Sequence, residues 1–105
     1  MKDSKVTAEQ IENNISQSLI AYVFKPNVHN TWVEIKTMIE SYLLGLYNQG
    51  NFAGSQPEES YQVLVGLGKT MTDEDVLNKI VKVSVLLAMD RPSEFVTYTF
   101  EQEAE

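Results

Sequence analysis

The chain has 105 residues, with 8 Lys and Arg against 15 Asp and Glu, a single His and no Cys. That inventory cannot build a disulfide framework, a Cys-based zinc or redox centre, or a multi-His metal site, and a net charge of −7 argues against binding a nucleic-acid backbone. With 43 % apolar residues the chain can fill the core of one domain spanning residues 1–105, and no apolar run approaches the roughly 18–20 residues of a membrane span.

Met1–Lys5 leads into polar sequence, so no signal peptide is expected. Residues 7–21 read as a first helix, with Thr7 as cap and Gln10 three residues later as in a capping box. Ile11, Ile15 and Leu19 form one stripe, and Glu12, Asn13, Ser16 and Gln17 face water. Ala21–Phe24 changes period and predicts a short extended segment, closed at Pro26. Residues 31–48 read as the main helix, capped by Asn30 or Thr31 and ended by Gly50 at C′. Its apolar stripe is Trp32, Ile35, Ile39, Tyr42, Leu43 and Leu46, and its opposite face is Glu34, Lys36, Thr37, Glu40 and Ser41. Gly45 inside it suggests close approach of another element. Helical spacing assigns Tyr22, Phe24, Trp32, Tyr42 and Tyr47 to core packing.

Residues 51–60 read as a loop with Gly54 and Pro57, followed by a strand over Tyr61–Leu67. Thr72 caps a short acidic turn that runs to about Asn78. Lys79–Met89 is the longest predicted strand, with one end buried on both faces. After the turn at Asp90–Ser93, Glu94–Gln102 alternates Val96, Tyr98 and Phe100 with Thr97, Thr99 and Glu101, so the last two strands make an antiparallel hairpin. The sum is an α+β fold of two layers, two main helices on a small three-stranded, mostly antiparallel sheet. Such a sheet has two open edges, and the final strand, Val96–Glu101, is the candidate for pairing with another chain by strand addition.

Two segments imitate catalytic or metal motifs. Gly66-Leu67-Gly68-Lys69-Thr70 follows a strand like the end of a phosphate-binding loop, but Val63 stands where the first glycine is required. Asp73-Glu74-Asp75 lacks the calcium-loop spacing, since Leu77 and Asn78 occupy positions five and six. His29 has no base or nucleophile near it in sequence and reads as a surface or capping residue. No cofactor, metal or catalytic residue is expected, and the chain reads as a non-enzyme. Charge is uneven: residues 1–50 hold four basic and five acidic groups, residues 51–105 four and ten. That imbalance suits a solvated surface or a basic partner.

Five segments carry a resemblance. Phe24-Lys25-Pro26-Asn27 followed by Trp32 matches F-x-P-N-x-x-x-x-W. Gly50, Gly54, Pro57, Glu58 and Tyr61 match G-x-x-x-G-x-x-P-E-x-x-Y, and Thr70, Met71, Thr72 and Asp75 match T-M-T-x-x-D. Pro92, Glu94 and Phe95 follow the long apolar strand as P-x-E-F, and Ile11-Glu12-Asn13-Asn14-Ile15 matches I-E-x-x-I. In their order along the chain they resemble the C-terminal, inner domain of contractile phage tail sheath proteins, over roughly residues 10–100. The resemblance implies a structural, non-catalytic role in the sheath of a phage tail, a bacteriocin or an injection system. Its implied partners are copies of itself or a full-length sheath subunit, and the tail tube protein, with no nucleic acid and no membrane span. It implies assembly in the bacterial cytoplasm and a final place in a virion tail or device sheath. Strands added between subunits would link neighbours, with residues 1–6 and 101–105 as flexible termini or arms. The helix face Glu34, Lys36, Thr37, Glu40 and Ser41 is the candidate tube-facing surface. The alternative is a stand-alone acidic adaptor, either a sheath cap or an unrelated partner-binding module.

Overall fold

Thr7 opens the first helix, α1 (Ala8–Leu19), in a computed structural model that describes residues 6–104. Its Oγ1 accepts the Gln10 N–H at 3.1 Å, and Gln10 Oε1 accepts the Thr7 N–H at 2.8 Å, so the expected capping box is present. Ile11, Ile15 and Leu19 are buried. Each such side chain stabilises the fold by about 1.5–3 kcal/mol relative to exposure.

The expected extended segment at Ala21–Phe24 is absent. Ile20–Tyr22 continues α1 as a 3-10 turn, and the Val23 and Lys25 N–H groups bond the Ile20 and Tyr22 carbonyls at 3.2 and 3.1 Å. These local bonds satisfy backbone groups that a strand would have needed a neighbour to satisfy. Phe24 is 82 % exposed and so leaves the predicted aromatic core, in which Trp32 is buried and Tyr22, Tyr42 and Tyr47 are half-buried.

The main helix, α2, spans His29–Asn48. It starts earlier than predicted. Val28, in extended backbone, occupies the cap position, its carbonyl receiving the Thr31 and Trp32 N–H groups at 3.0 and 3.2 Å. Asn30 and Thr31 therefore lie inside the first turn, and no side chain caps it. The end is as expected: Gly50 has φ +82°, its N–H bonds the Tyr47 carbonyl at 2.9 Å, and the Asn51 N–H bonds the Leu46 carbonyl at 3.1 Å. This is a Schellman motif, which only a residue at ease in the left-handed region closes without strain. Gly45 is exposed, and a Cβ placed there would meet nothing within 4 Å, so the expected close approach is not found. The predicted stripe holds, with Trp32, Ile35, Ile39, Leu43 and Leu46 buried and the Tyr42 hydroxyl accepting from Asn14 Nδ2 of α1 at 2.9 Å.

Residues 51–60 are not simply a loop. Asn51 and Phe52 are buried, and Pro57–Ser60 forms a helical turn, α3, with Pro57 at its start where a missing N–H is harmless. The Ala53 N–H bonds the Ala88 carbonyl, and the Ala88 N–H bonds the Ser60 carbonyl, both at 2.9 Å. The segment is thus clamped to the end of the central strand.

Strand β1 is Tyr61–Val65, two residues shorter than predicted because Gly66 turns the chain at φ +136°. A short helix, α4 (Asp73–Leu77), follows, capped by Thr72 as expected. Strands β2 (Ile80–Leu87) and β3 (Val96–Glu103) form the predicted hairpin, and the sheet is antiparallel throughout in the order β1-β2-β3. In register, Val63 faces Val85, Val65 faces Val83, and Val85 and Val83 face Tyr98 and Phe100. The four odd-numbered residues from Val81 to Leu87 are at most 2 % exposed and form the core with the stripes of α1 and α2. At the end of β2, Leu87 and Ala88 are both buried while Leu86 is half-buried. On the other face Gln62, Thr97, Thr99 and Glu101 are exposed. The result is the expected two-layer α+β domain.

Candidate assembly interface

The helical layer stops short of β3. Val96, Tyr98 and Phe100 lie on the same face as the fully buried valines of β2, yet Val96 is 50 % exposed and Tyr98 and Phe100 are half-buried. Thr97, Thr99 and Glu101 point to the opposite, open face and are exposed. Among the described residues one side-chain hydrogen bond ties β3 to the helices beneath it: Gln102 Nε2 donates to the Leu19 carbonyl at 2.8 Å. Sequence reading missed Gln102, because nothing in its neighbours marks it. Glu101–Glu103 belongs to β3, and residues 1–5 and Glu105, parts of the expected arms, lie outside the described residues.

Backbone parity tells which groups the edge offers. The Ala104 N–H bonds the Lys79 carbonyl, and these residues are directly opposite in the β2–β3 register. In an antiparallel ladder bonded pairs alternate, so Val96, Tyr98, Phe100 and Gln102 bond inward to β2. The N–H and C=O groups of Thr97, Thr99 and Glu101 point to the free edge. On the other edge the Ala88 N–H bonds the Ser60 carbonyl, so Tyr61, Val63 and Val65 are the residues of β1 that point outward.

Along that β1 edge runs a shallow groove of about 380 Å³, flanked by Lys36 and Glu40 of α2 and by Tyr61 and Leu64. The predicted helix surface is therefore divided. Glu34, Thr37 and Ser41 are exposed on the ridge of α2, whereas Lys36 and Glu40 are half-buried and lean over the groove. Glu34 pairs with Lys25 at 3.7 Å. Burial, then the carboxylates of Glu40 and Glu58, push the Tyr61 phenol above its usual pKa.

The motif residues mostly hold the framework that presents these edges. Asn27 is 9 % exposed, accepts the Trp32 indole N–H at 2.6 Å and donates to the Ile80 carbonyl at 3.1 Å. It pins the start of α2 to the start of β2. Pro26 supplies the carbonyl that receives the Val28 N–H at 3.0 Å. Gly54 has φ +102°, and a Cβ there would stand 2.9 Å from Glu59 Cβ. Thr70 completes the ladder between β1 and β2: the Gly66 N–H bonds its Oγ1, which in turn donates to the Lys82 carbonyl. The Lys69, Thr70 and Met71 N–H groups all converge on the Gly66 carbonyl at 3.0–3.1 Å, so the glycine-rich turn spends these amides on itself. Asp75 accepts the Thr72 N–H at 2.9 Å and pairs with Lys82 at 3.2 Å. The Thr72 N–H, with Lys82 beside it, holds the Asp75 carboxyl below the usual range. Pro92 and Glu94 are exposed in the hairpin turn, where Glu94 pairs with Arg91 at 3.6 Å, and Phe95 is half-buried at the entrance to β3. Phe24 takes no part in this framework and projects into solvent.

No protein-family model matches the chain, and no curated protein matches it. Solved assemblies do. The chain is 39 % identical, over 89 % of its length and at a TM-score of 0.74, to a chain in a cryo-EM structure of the six-fold symmetrised baseplate of the anti-feeding prophage, AFP. It is 37 % identical, over 90 % of its length and at the same TM-score of 0.74, to a chain of the PVC sheath complex of an extracellular contractile injection system in the contracted state. A chain of the AFP baseplate in its contracted state is 31 % identical over 84 % at a TM-score of 0.74. The chain spans about a quarter of the length of each of these matches, 26 %, 27 % and 23 %. The structural neighbours are contractile injection system sheath and baseplate structures, in agreement with the sheath-protein resemblance of the sequence motifs.

Proposed function

We propose that the chain is a structural module of a contractile tail or injection-system sheath that joins neighbouring subunits by β-strand addition. The observation that carries this reading is β3. It is an edge strand whose Thr97, Thr99 and Glu101 backbone groups are unpaired within the sheet among the described residues, and whose inner side chains are only partly covered. A strand laid along it would satisfy the backbone and extend the apolar layer beside Val96, Tyr98 and Phe100. The likeness to assembled sheath and baseplate chains supplies the context.

In this reading the module does no chemistry. Its partners are copies of itself or a full-length sheath subunit, and an inner tube approached by the ridge of Glu34, Thr37 and Ser41. Work comes from a metastable assembly whose subunits move as rigid bodies while the added strands keep them linked. Assembly takes place in the bacterial cytoplasm, and the end product is a virion tail or device sheath.

Thr99→Pro tests the linkage. It removes an N–H that faces the free edge and none that bonds β2, a site at which edge strands accept proline. The variant is expected to keep the circular dichroism of the parent and to lose self-assembly in sedimentation and negative-stain microscopy, while Thr99→Val keeps both. Normal assembly by Thr99→Pro would remove strand addition at this edge from the account.

A further inference from the structure

The glycine-rich turn that imitates a phosphate-binding loop forms one wall of a cleft of about 390 Å³, and the first turns of α2 form the other. Trp32 makes the buried floor, and Val33 and Leu67, 47 % and 50 % exposed, stand on opposite walls. Gly66 lies flush against the indole: a Cβ there would touch the Trp32 ring at 3.7 Å. The polar residues of the lining are His29, Lys36 and Lys69, and none of the lining residues is acidic. This is unusual in a chain of net charge −7. Lys25, Lys82 and Arg91 are each paired with a carboxylate, whereas Lys36 and Lys69 are in no ion pair among the described residues. The turn that carries Lys69 is fastened to β2 through Thr70, so the cation is displayed from a fixed wall.

The complementary surface is on the same molecule but elsewhere. Glu101 and Glu103 are exposed on the open face of β3, about 6.6–6.8 Å apart as alternate residues of a strand. No ion pair holds them among the described residues. Neighbouring Lys82 is taken by Asp75.

We propose that the Trp32–Lys36–Lys69 cleft of one copy receives the Glu101 and Glu103 carboxylates of a second copy. The inference takes from the preceding reading only that copies assemble, and it concerns side-chain charge on a face of β3 rather than backbone pairing at its edge. The contact joins two different surfaces, so it is heterologous and propagates into an open array instead of closing as a dimer. Partial exclusion of water by the apolar walls strengthens the attraction over that of a fully solvated pair. The exchange of charge sets which face of one subunit meets the next, and so contributes register and orientation more than raw affinity.

A charge exchange tests it on the 105-residue chain. One variant carries Lys36→Glu with Lys69→Glu, the other Glu101→Lys with Glu103→Lys. All four side chains are outside the core, and circular dichroism checks that each variant folds. Each alone is expected to lose at least about tenfold in association constant by sedimentation at low salt, through like-charge opposition. An equimolar mixture is expected to recover it, because both of its mixed contacts are again complementary, and raising salt is expected to weaken parent and mixture together. Unchanged association of either variant, or no recovery on mixing, overturns the proposal. The two readings separate cleanly. If charge variants assemble normally while Thr99→Pro does not, the cleft contact is wrong and strand addition stands. If Thr99→Pro assembles normally while the charge variants dissociate, the reverse holds.

Discussion

Replacing Asn27 by alanine removes two hydrogen bonds with one side chain, one buried and one part-buried. The Trp32 indole N–H, 2.6 Å from Asn27 Oδ1, loses its acceptor inside a residue that is only 8 % exposed. An unsatisfied buried donor costs about 1–3 kcal/mol, and the lost bond from Asn27 Nδ2 to the Ile80 carbonyl adds about 1 kcal/mol. The expected loss is about 2–4 kcal/mol out of a total stability on the order of 5–15 kcal/mol. For a domain of this size that is a fall in Tm of roughly 10–20 °C. Urea unfolding followed by far-UV circular dichroism measures it. The same substitution made in a Trp32→Phe background, where no indole N–H remains, should cost about 1–3 kcal/mol less. A loss below about 0.5 kcal/mol, or the same loss in both backgrounds, would refute the claim that Asn27 pins α2 to β2 through Trp32.

Thr70→Val keeps the shape of the side chain but breaks the bridge from the Gly66 N–H to the Lys82 carbonyl, and chemical denaturation should show a loss of about 1–3 kcal/mol. Gly54→Ala places a Cβ 2.9 Å from Glu59 Cβ at φ +102°, and thermal unfolding should show a loss of about 1–3 kcal/mol, while Gly45→Ala, with open space around it, should be neutral or gain up to about 1 kcal/mol. Asp75 has a depressed folded pKa, so its contribution is present above the unfolded carboxyl value and fades as pH falls through the folded one. Asp75→Ala should therefore be less stable than the parent near neutrality, and the gap should close in acid. A gap that stays constant with pH would show that Asp75 acts by packing alone.

Local chemistry was the legible part of this chain. Thr7 with Gln10, Thr72 ahead of its acids, and Gly50 after Leu46 and Tyr47 each bond within a few residues of themselves, so their spacing is sufficient to read them. The alternation of Val81, Val83 and Val85 likewise announces one buried face. Where reading failed, an apolar pattern competed with backbone bonding. Ala21–Phe24 looks like strand, but no neighbour offers it a ladder, and the helix end closes on itself as a 3-10 turn. Phe24 shows that an aromatic at plausible spacing need not be buried. The start of α2 was misplaced because Val28 caps with its backbone and leaves no side-chain signature.

The candidate interface was half legible. That β3 is a strand with mixed faces follows from its alternation. Which of its amides face outward depends on the register with β2, and register is a property of the folded pair. The helix-face residues split for the same reason: Lys36 and Glu40 are neighbours of β1 only once the layers are stacked. Lys36 and Lys69, 33 residues apart in sequence, meet at one cleft for that reason too.

Amide hydrogen exchange along β3, before and after assembly, tests the central claim most directly. In the unassembled chain the Thr97, Thr99 and Glu101 amides should exchange fast and the Tyr98 and Phe100 amides slowly, following the parity of the ladder. On assembly the alternation should vanish, with all five protected by an added strand. Assembled material in which Thr97, Thr99 and Glu101 still exchange fast would contradict the account.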